Sequence, residues 1–140
     1  MDVQKALREW AVIYIKNKDV MKKSITSIDE NVDGFDFIVR KSSGDQFFLI
    51  RPEFSDVEEV VSKGEGKPLG LVVLNTRENL NKVIAGWDKL CKLKGLCIYF
   101  VNPKSNNKWL LFPYTHEQIT ERAALKRGLE SLFSMVESYS

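Results

Sequence analysis

Two strand-like runs, Phe35–Lys41 and Gln46–Phe54, are separated by only the four residues Ser42-Ser43-Gly44-Asp45. Both runs are rich in aromatic and β-branched residues, and the Ser-Gly midpoint supplies turn chemistry, so the segment reads as a β-hairpin. No other stretch of the chain restricts the fold as tightly. Period-2 alternation sets Phe35, Phe37 and Val39 against Asp36, Ile38 and Arg40, and puts Phe47, Leu49, Arg51 and Glu53 on one face of the second run. Symmetric pairing about Ser43-Gly44 matches Lys41 with Gln46, and therefore Asp36 with Arg51. Directly opposed residues point to the same face. One face should carry Ile38 and Leu49 near the turn and the ionisable trio Asp36, Arg51 and Glu53 at the far end. A one-residue slip would put Asp36 and Arg51 on opposite faces.

The rest of the chain reads as alternating helices and strands. Residues 2–18 place Val3, Ala6, Leu7, Trp10, Ile13 and Tyr14 at helical spacing. Ser24–Asp29 is a short β-branched strand. Residues 55–68, with Asp56, Glu58, Glu59, Lys63, Gly64, Gly66 and Pro68, suggest a short helical turn and then a flexible connection. Leu69–Leu74 suits a buried strand. Asn75 or Thr76 caps a following helix, with Glu78 three residues after Asn75 as in a capping box, and Gly95 ends it. Leu96–Val101 is a second apolar strand, so 69–101 forms a strand-helix-strand unit with parallel strands and a right-handed crossover. Lys108–Phe112 closes the sheet. Thr115 and Gln118 form a further capping box for a last helix with the stripe Ile119, Ala123, Leu129, Leu132, Phe133 and Val136. The expectation is a single α/β domain over residues 1–140, a mixed β-sheet flanked by helices.

Composition narrows the classes. Of 140 residues, 44% are hydrophobic and 29% charged, enough apolar material for a core and too much for a disordered chain. No apolar run is long enough to span a membrane. The start, Met-Asp-Val-Gln-Lys-Ala, has no secretory pattern, so a reducing, cytoplasmic setting is expected. Two cysteines and one histidine cannot assemble a Cys/His zinc site. Cys91 and Cys97 fall on apolar stripes and read as core, and His116 has no nucleophile motif beside it. No nucleotide-binding fingerprint is present: Gly64-Glu65-Gly66-Lys67 lacks P-loop spacing. A net charge of +2 argues against binding nucleic acid by bulk electrostatics. Local basic patches are Lys16, Lys18, Lys22 and Lys23, then Lys89, Lys92 and Lys94, then Lys104 and Lys108.

A helix, a strand, a hairpin with an Asp in one strand, and a crossover helix and strand together resemble the PD-(D/E)XK nuclease superfamily. The likeness is nearest to restriction-endonuclease-like enzymes and archaeal Holliday-junction resolvases. Gly34-Phe35-Asp36-Phe37-Ile38-Val39 resembles the Asp strand. Phe48-Leu49-Ile50-Arg51-Pro52-Glu53 falls where a hydrophobic run followed by Glu-x-Lys is expected. Glu9, in Arg8-Glu9, resembles the accessory helical Glu. The resemblance spans residues 3–112 and treats 115–138 as an added C-terminal helix. It implies a restriction-endonuclease-like fold, nucleic acid as partner with DNA ahead of RNA, and Mg²⁺ as the cofactor of any active form.

The motif departs from that pattern at its centre. Arg51 stands at the Glu position and Glu53 at the Lys position, so a permanent cation sits beside Asp36, where a metal needs clustered anionic oxygens. The resemblance therefore implies a degraded or inactive site, with Asp36 and Glu53 as the candidate metal ligands and Glu9 as a third carboxylate. An alternative alignment of the third strand puts Asn75 and Arg77 near the Glu-x-Lys position, although helix capping explains Asn75 more simply. The competing function is a non-enzymatic interaction module on the same scaffold, a homodimer through the last helix.

Overall fold

A computed structural model describes residues 2–140. The chain runs α1 (Val3–Asp19), β1 (Ile25–Val32), β2 (Phe35–Lys41), β3 (Gln46–Ile50), α2 (Val57–Gly64), β4 (Leu69–Leu74), α3 (Arg77–Ala85), α4 (Trp87–Leu90), β5 (Leu96–Asn102), β6 (Asn107–Leu111), α5 (Pro113–Ile119) and α6 (Arg122–Ser134). The strands form one six-stranded sheet in the order β1-β2-β3-β4-β5-β6. The first three form an antiparallel meander, β3, β4 and β5 are mutually parallel, and β6 returns antiparallel. This is a single-domain α/β architecture with a mixed sheet, as the alternation of apolar runs and helical stripes predicts. No helix among the described residues is long and apolar enough to cross a membrane.

The two faces of the sheet bury separate layers. Leu7, Ala11 and Ile15 of α1 pack on Phe37, Val39, Phe48, Ile50, Val72 and Tyr99. On the other face, residues of α2, α3, α4 and α6 cover Ile38, Leu49, Leu71, Val73, Ile98 and Phe100. Strands β4 and β5 are buried along their whole length. That explains why they read as continuous apolar runs rather than as alternation: parallel central strands have helices on both sides.

Several local expectations need correction. The hairpin pairs Phe37 with Phe48, Ile38 with Phe47 and Val39 with Gln46, a shift of two residues from the symmetric register. The wider loop has its own fixings, because the Arg40 guanidinium bonds Asp29 at 2.9 Å and Asp45 at 2.6 Å. Since the side-chain period is two, this shift keeps Phe37 and Val39 on one face and Ile38 and Leu49 on the other. Phe35 departs from the alternation: it packs on the Ile38 face, its ring 4.9 Å from that of Phe47. The second hairpin strand ends at Ile50 rather than Phe54, just before Pro52, which could donate no ladder bond. Residues 57–64 form a full helix with Val60 completely buried, where a turn and flexible connection were expected. The crossover helix breaks at Gly86 into α3 and α4.

The C-terminal helix is also two helices. Thr120 and Glu121 are extended, and Pro113 rather than Thr115 begins α5, without a side-chain cap. The break rotates the apolar stripe. Leu125, Leu129 and Phe133 are buried, with Leu132 and Val136 packed beside them, while Ile119 is 76% exposed.

Gly70 sits where the sheet has no room for a side chain. A Cβ there would stand 2.4 Å from Cε1 of Phe48, which is fully buried and stacked on Phe37 with ring centroids 4.7 Å apart. Gly70→Ala should cost about 1–3 kcal/mol by overpacking. Phe48→Leu should relieve part of that cost, so denaturation of the double variant should show less loss than the sum of the singles. Strict additivity would contradict this packing.

Candidate functional site

Beyond the Phe37–Phe48 pair, β2 and β3 part, and the Asp36 side chain fills the gap. Its Oδ2 accepts from the Ile50 amide at 2.8 Å, replacing a ladder bond, and from Arg51 Nη1 at 2.9 Å. Its Oδ1 accepts from Gln4 Nε2 at 3.1 Å, and the same Gln4 nitrogen donates to the Ile50 carbonyl. The strand end is thus closed by three side chains from α1, β2 and the residue after β3. Asp36 and Arg51 meet directly in this gap, Asp36 reaching Gln4 of α1 and Arg51 reaching Glu59 of α2.

Arg51 continues the network into α2. Its Nε and Nη2 bond the two carboxylate oxygens of Glu59 at 2.9 and 2.8 Å, a bidentate pair that fixes the guanidinium plane. Lys63, one turn on, stands 3.6 Å from Glu59 and donates to the Gly34 carbonyl at 2.6 Å. The Arg51 hydrogen bonds hold the Glu59 carboxyl below its ordinary value, against the opposing effect of burial. The same bonds to Glu59 raise the Arg51 guanidinium. Glu59 was not singled out in the sequence, where its segment reads as a short helical turn followed by a flexible connection. The signal was available: Asp56 precedes Glu59 by three residues and accepts its amide at 3.1 Å, an N-cap at capping-box spacing.

The other two candidate carboxylates stand apart from this network. Glu53 is exposed beyond the end of β3, and Glu9 is exposed on α1, beside a surface cavity that Lys5, Arg8 and Glu30 also line. Among the described residues, no group of three or more His, Cys, Asp or Glu is placed to hold a metal ion. The Mg²⁺ implied by the nuclease resemblance does not fit the residues present. Both Asp36 oxygens accept protein hydrogen bonds, and the nearest charged partner is a guanidinium.

The carboxyl ends of the parallel strands, where open α/β sheets commonly bind ligands, are closed by three buried asparagines. Asn79 accepts from the Phe54 amide and donates to the Pro52 and Leu74 carbonyls, all at 2.8 Å. Asn75 accepts from Trp109 Nε1 at 2.9 Å and donates to the Val136 and Glu137 carbonyls at 3.2 Å, while its own carbonyl accepts from the Tyr139 amide. Asn102 donates to the Glu137 and Ser138 carbonyls. Residues 136–139 therefore strap the end of the sheet, from the α6 layer to the α1 layer, where Tyr139 packs. This corrects the helix-capping account of Asn75: Thr76 is the cap, accepting from the Asn79 amide. Arg77 turns away to Glu130 and lies over the Phe133 ring, so the alternative alignment assembles no acidic site either.

Fold and site together define a single-domain α/β protein whose strand ends are closed by ion pairs and buried amides. No family model, curated protein or solved structure matches the chain.

Two expectations follow from these contacts. Because the folded Glu59 carboxyl is depressed, the stability it contributes is complete above the ordinary value of about 4.3 and is lost as pH falls through the folded value. Glu59→Gln should flatten that part of the acid limb in pH-resolved denaturation; an unchanged slope would contradict the pairing. Asn75→Ala leaves Trp109 Nε1 and two tail carbonyls without their partner. It should cost about 3 kcal/mol and sharply accelerate hydrogen exchange at the Tyr139 amide.

Proposed function

We propose that the chain is a nuclease-like nucleic-acid-binding domain whose Asp36 site is structural rather than catalytic. The observation that carries this reading is the Arg51 guanidinium, bonded to Asp36 at 2.9 Å in the place a metal would need. Support for the scaffold comes from the succession α1, β1, β2, β3, α2, β4, with Asp36 on the middle strand of the meander. That succession fits the restriction-endonuclease-like pattern. The local lysine patches offer phosphate contacts despite the small net charge. DNA is placed ahead of RNA because the nuclease resemblance implies it.

An interaction module would need an unpartnered last helix. Leu125, Leu129 and Phe133 of α6 are buried against the chain's own sheet, so that stripe is already covered. No other observation favours a homodimer.

Binding and cleavage of duplex, single-stranded and branched DNA and RNA, measured with Mg²⁺, separate the possibilities. Expected is binding that weakens as salt rises, with a log–log slope of about −0.9 per phosphate neutralised on duplex DNA, and no cleavage. Arg51→Glu with Glu53→Lys should raise Mg²⁺ affinity by restoring the pattern the resemblance implies. Robust cleavage abolished by Asp36→Ala would overturn the structural role, and absence of binding to every nucleic acid would overturn the reading as a whole.

A further inference from the structure

A second site lies at the other end of β2. Five residues of strand, about 16 Å, separate Asp36 from Lys41, where a cavity of about 400 Å³ opens between the end of α1 and the hairpin loop. That is within the usual range for small-ligand pockets, about 300–1,000 Å³. Three segments contribute lysines to its lining: Lys18 from the last turn of α1, Lys22 from the turn that follows, and Lys41 from the end of β2. Among the described residues, none of the three is within ion-pair distance of a carboxylate. Lys41 Nζ makes only a long bond to Gln46 Oε1, at 3.4 Å, and Lys18 Nζ lies 5.4 Å from the centre of the Tyr14 ring.

Asp19 is the one acidic residue lining the cavity, and its oxygens are taken up by Ser24 and Ile25. Oδ1 accepts from the Ser24 amide at 3.0 Å and the Ser24 hydroxyl at 2.5 Å, and Oδ2 accepts from the Ile25 amide at 2.9 Å. Those bonds hold its carboxyl below the usual range and fix the turn that carries Lys22. Lys23, in the left-handed region at φ 50°, donates its amide to the Asp19 carbonyl at 2.7 Å and tightens the same turn. The wall is thus built by side-chain and backbone bonds, and it sets three lysines against the single Asp19 carboxylate, which attracts Lys41 without a direct ion pair.

Neutral donors complete the lining. Tyr99 is 4% exposed. Burial raises its hydroxyl, so it stays protonated at neutral pH. Gln46 and Ser43 stand on the hairpin side. Clustered ammonium groups with hydroxyl and amide donors suit a compact dianion with several acceptor oxygens.

We propose that this cavity is a binding site for a phosphomonoester, the terminal phosphate of a small phosphorylated metabolite, a mononucleotide or a 5′-phosphorylated nucleic-acid end. The inference does not rest on the nuclease reading, because it uses no residue of the Asp36 network.

The test is an amide-resolved NMR titration of the full chain at constant ionic strength. The probes are inorganic phosphate, adenosine 5′-monophosphate, adenosine, and a short oligonucleotide with either a 5′-phosphate or a 5′-hydroxyl. Saturable shifts should cluster at residues 18–24, 41–46 and 97–99 and spare Ile50 and Arg51, for phosphorylated probes only. Tighter binding of the mononucleotide or of the phosphorylated oligonucleotide identifies the source and supports the site in either case. Lys22→Gln with Lys41→Gln should weaken binding at least tenfold while leaving the melting temperature and the remaining spectrum intact. Shifts that stay linear, spread over lysines across the surface, or match between adenosine and its monophosphate would overturn the proposal. Unchanged affinity in the double variant would do so as well.

Discussion

The Asp36 carboxylate stands where two kinds of strand pairing meet. On one side, β3 is the last strand of an antiparallel meander; on the other, it is the first of the parallel set. Beyond Phe48, β3 follows β4 rather than β2, and the Arg51 amide donates to the Val72 carbonyl. The Ile50 amide and carbonyl on the opposite edge need partners that the departing β2 backbone does not supply. Asp36, Gln4 and Arg51 supply them. A buried backbone group without a partner costs about 1–3 kcal/mol, so one carboxylate that bonds an amide and a guanidinium together stabilises the place where the sheet changes character. With Asp36 16% exposed and Arg51 30% exposed, the pair is shielded more than a surface ion pair.

This arrangement was legible in the sequence to an unequal degree. The meeting of Asp36 and Arg51 follows from the hairpin pairing and survived a two-residue error in register, although the alternation behind it breaks between Phe35 and Phe37, which pack on opposite faces. The error itself arose because a Ser-Gly midpoint implies a tight symmetric turn, whereas Arg40 ties a wider loop to Asp29 and Asp45 from a distance. Helix caps were less readable. Asp56, Asn75 and Thr115 all precede an acidic or amide residue by three positions, yet only Asp56 caps. Asn75 is drawn away by Trp109 and the C-terminal strap, contacts more than 30 residues distant. Pro113 starts α5 before Thr115 could. Gln4 reads as part of the polar side of α1, and nothing local marks it as a ligand of Asp36.

The two ends of the sheet have opposite characters. At the carboxyl end of the parallel strands, polar groups are consumed internally: asparagines hold the 52–54 segment and the tail, and Arg51 pairs with two carboxylates. At the hairpin-loop end, lysines from three segments are left without acidic partners. A domain built this way offers structure where the nuclease resemblance places chemistry, and unspent positive charge where that resemblance places none.

Exclusion of metal from Asp36 by Arg51 is tested most directly by paramagnetic broadening with Mn²⁺. In the intact chain, Mn²⁺ titrated at physiological ionic strength should leave the Ile50 and Arg51 amide signals as sharp as those of the β5 interior, while Arg51→Glu should make the Ile50 signal broaden first. Selective loss of the Ile50 and Arg51 signals in the unmodified protein, at Mn²⁺ concentrations too low to affect other exposed carboxylates, would contradict the account.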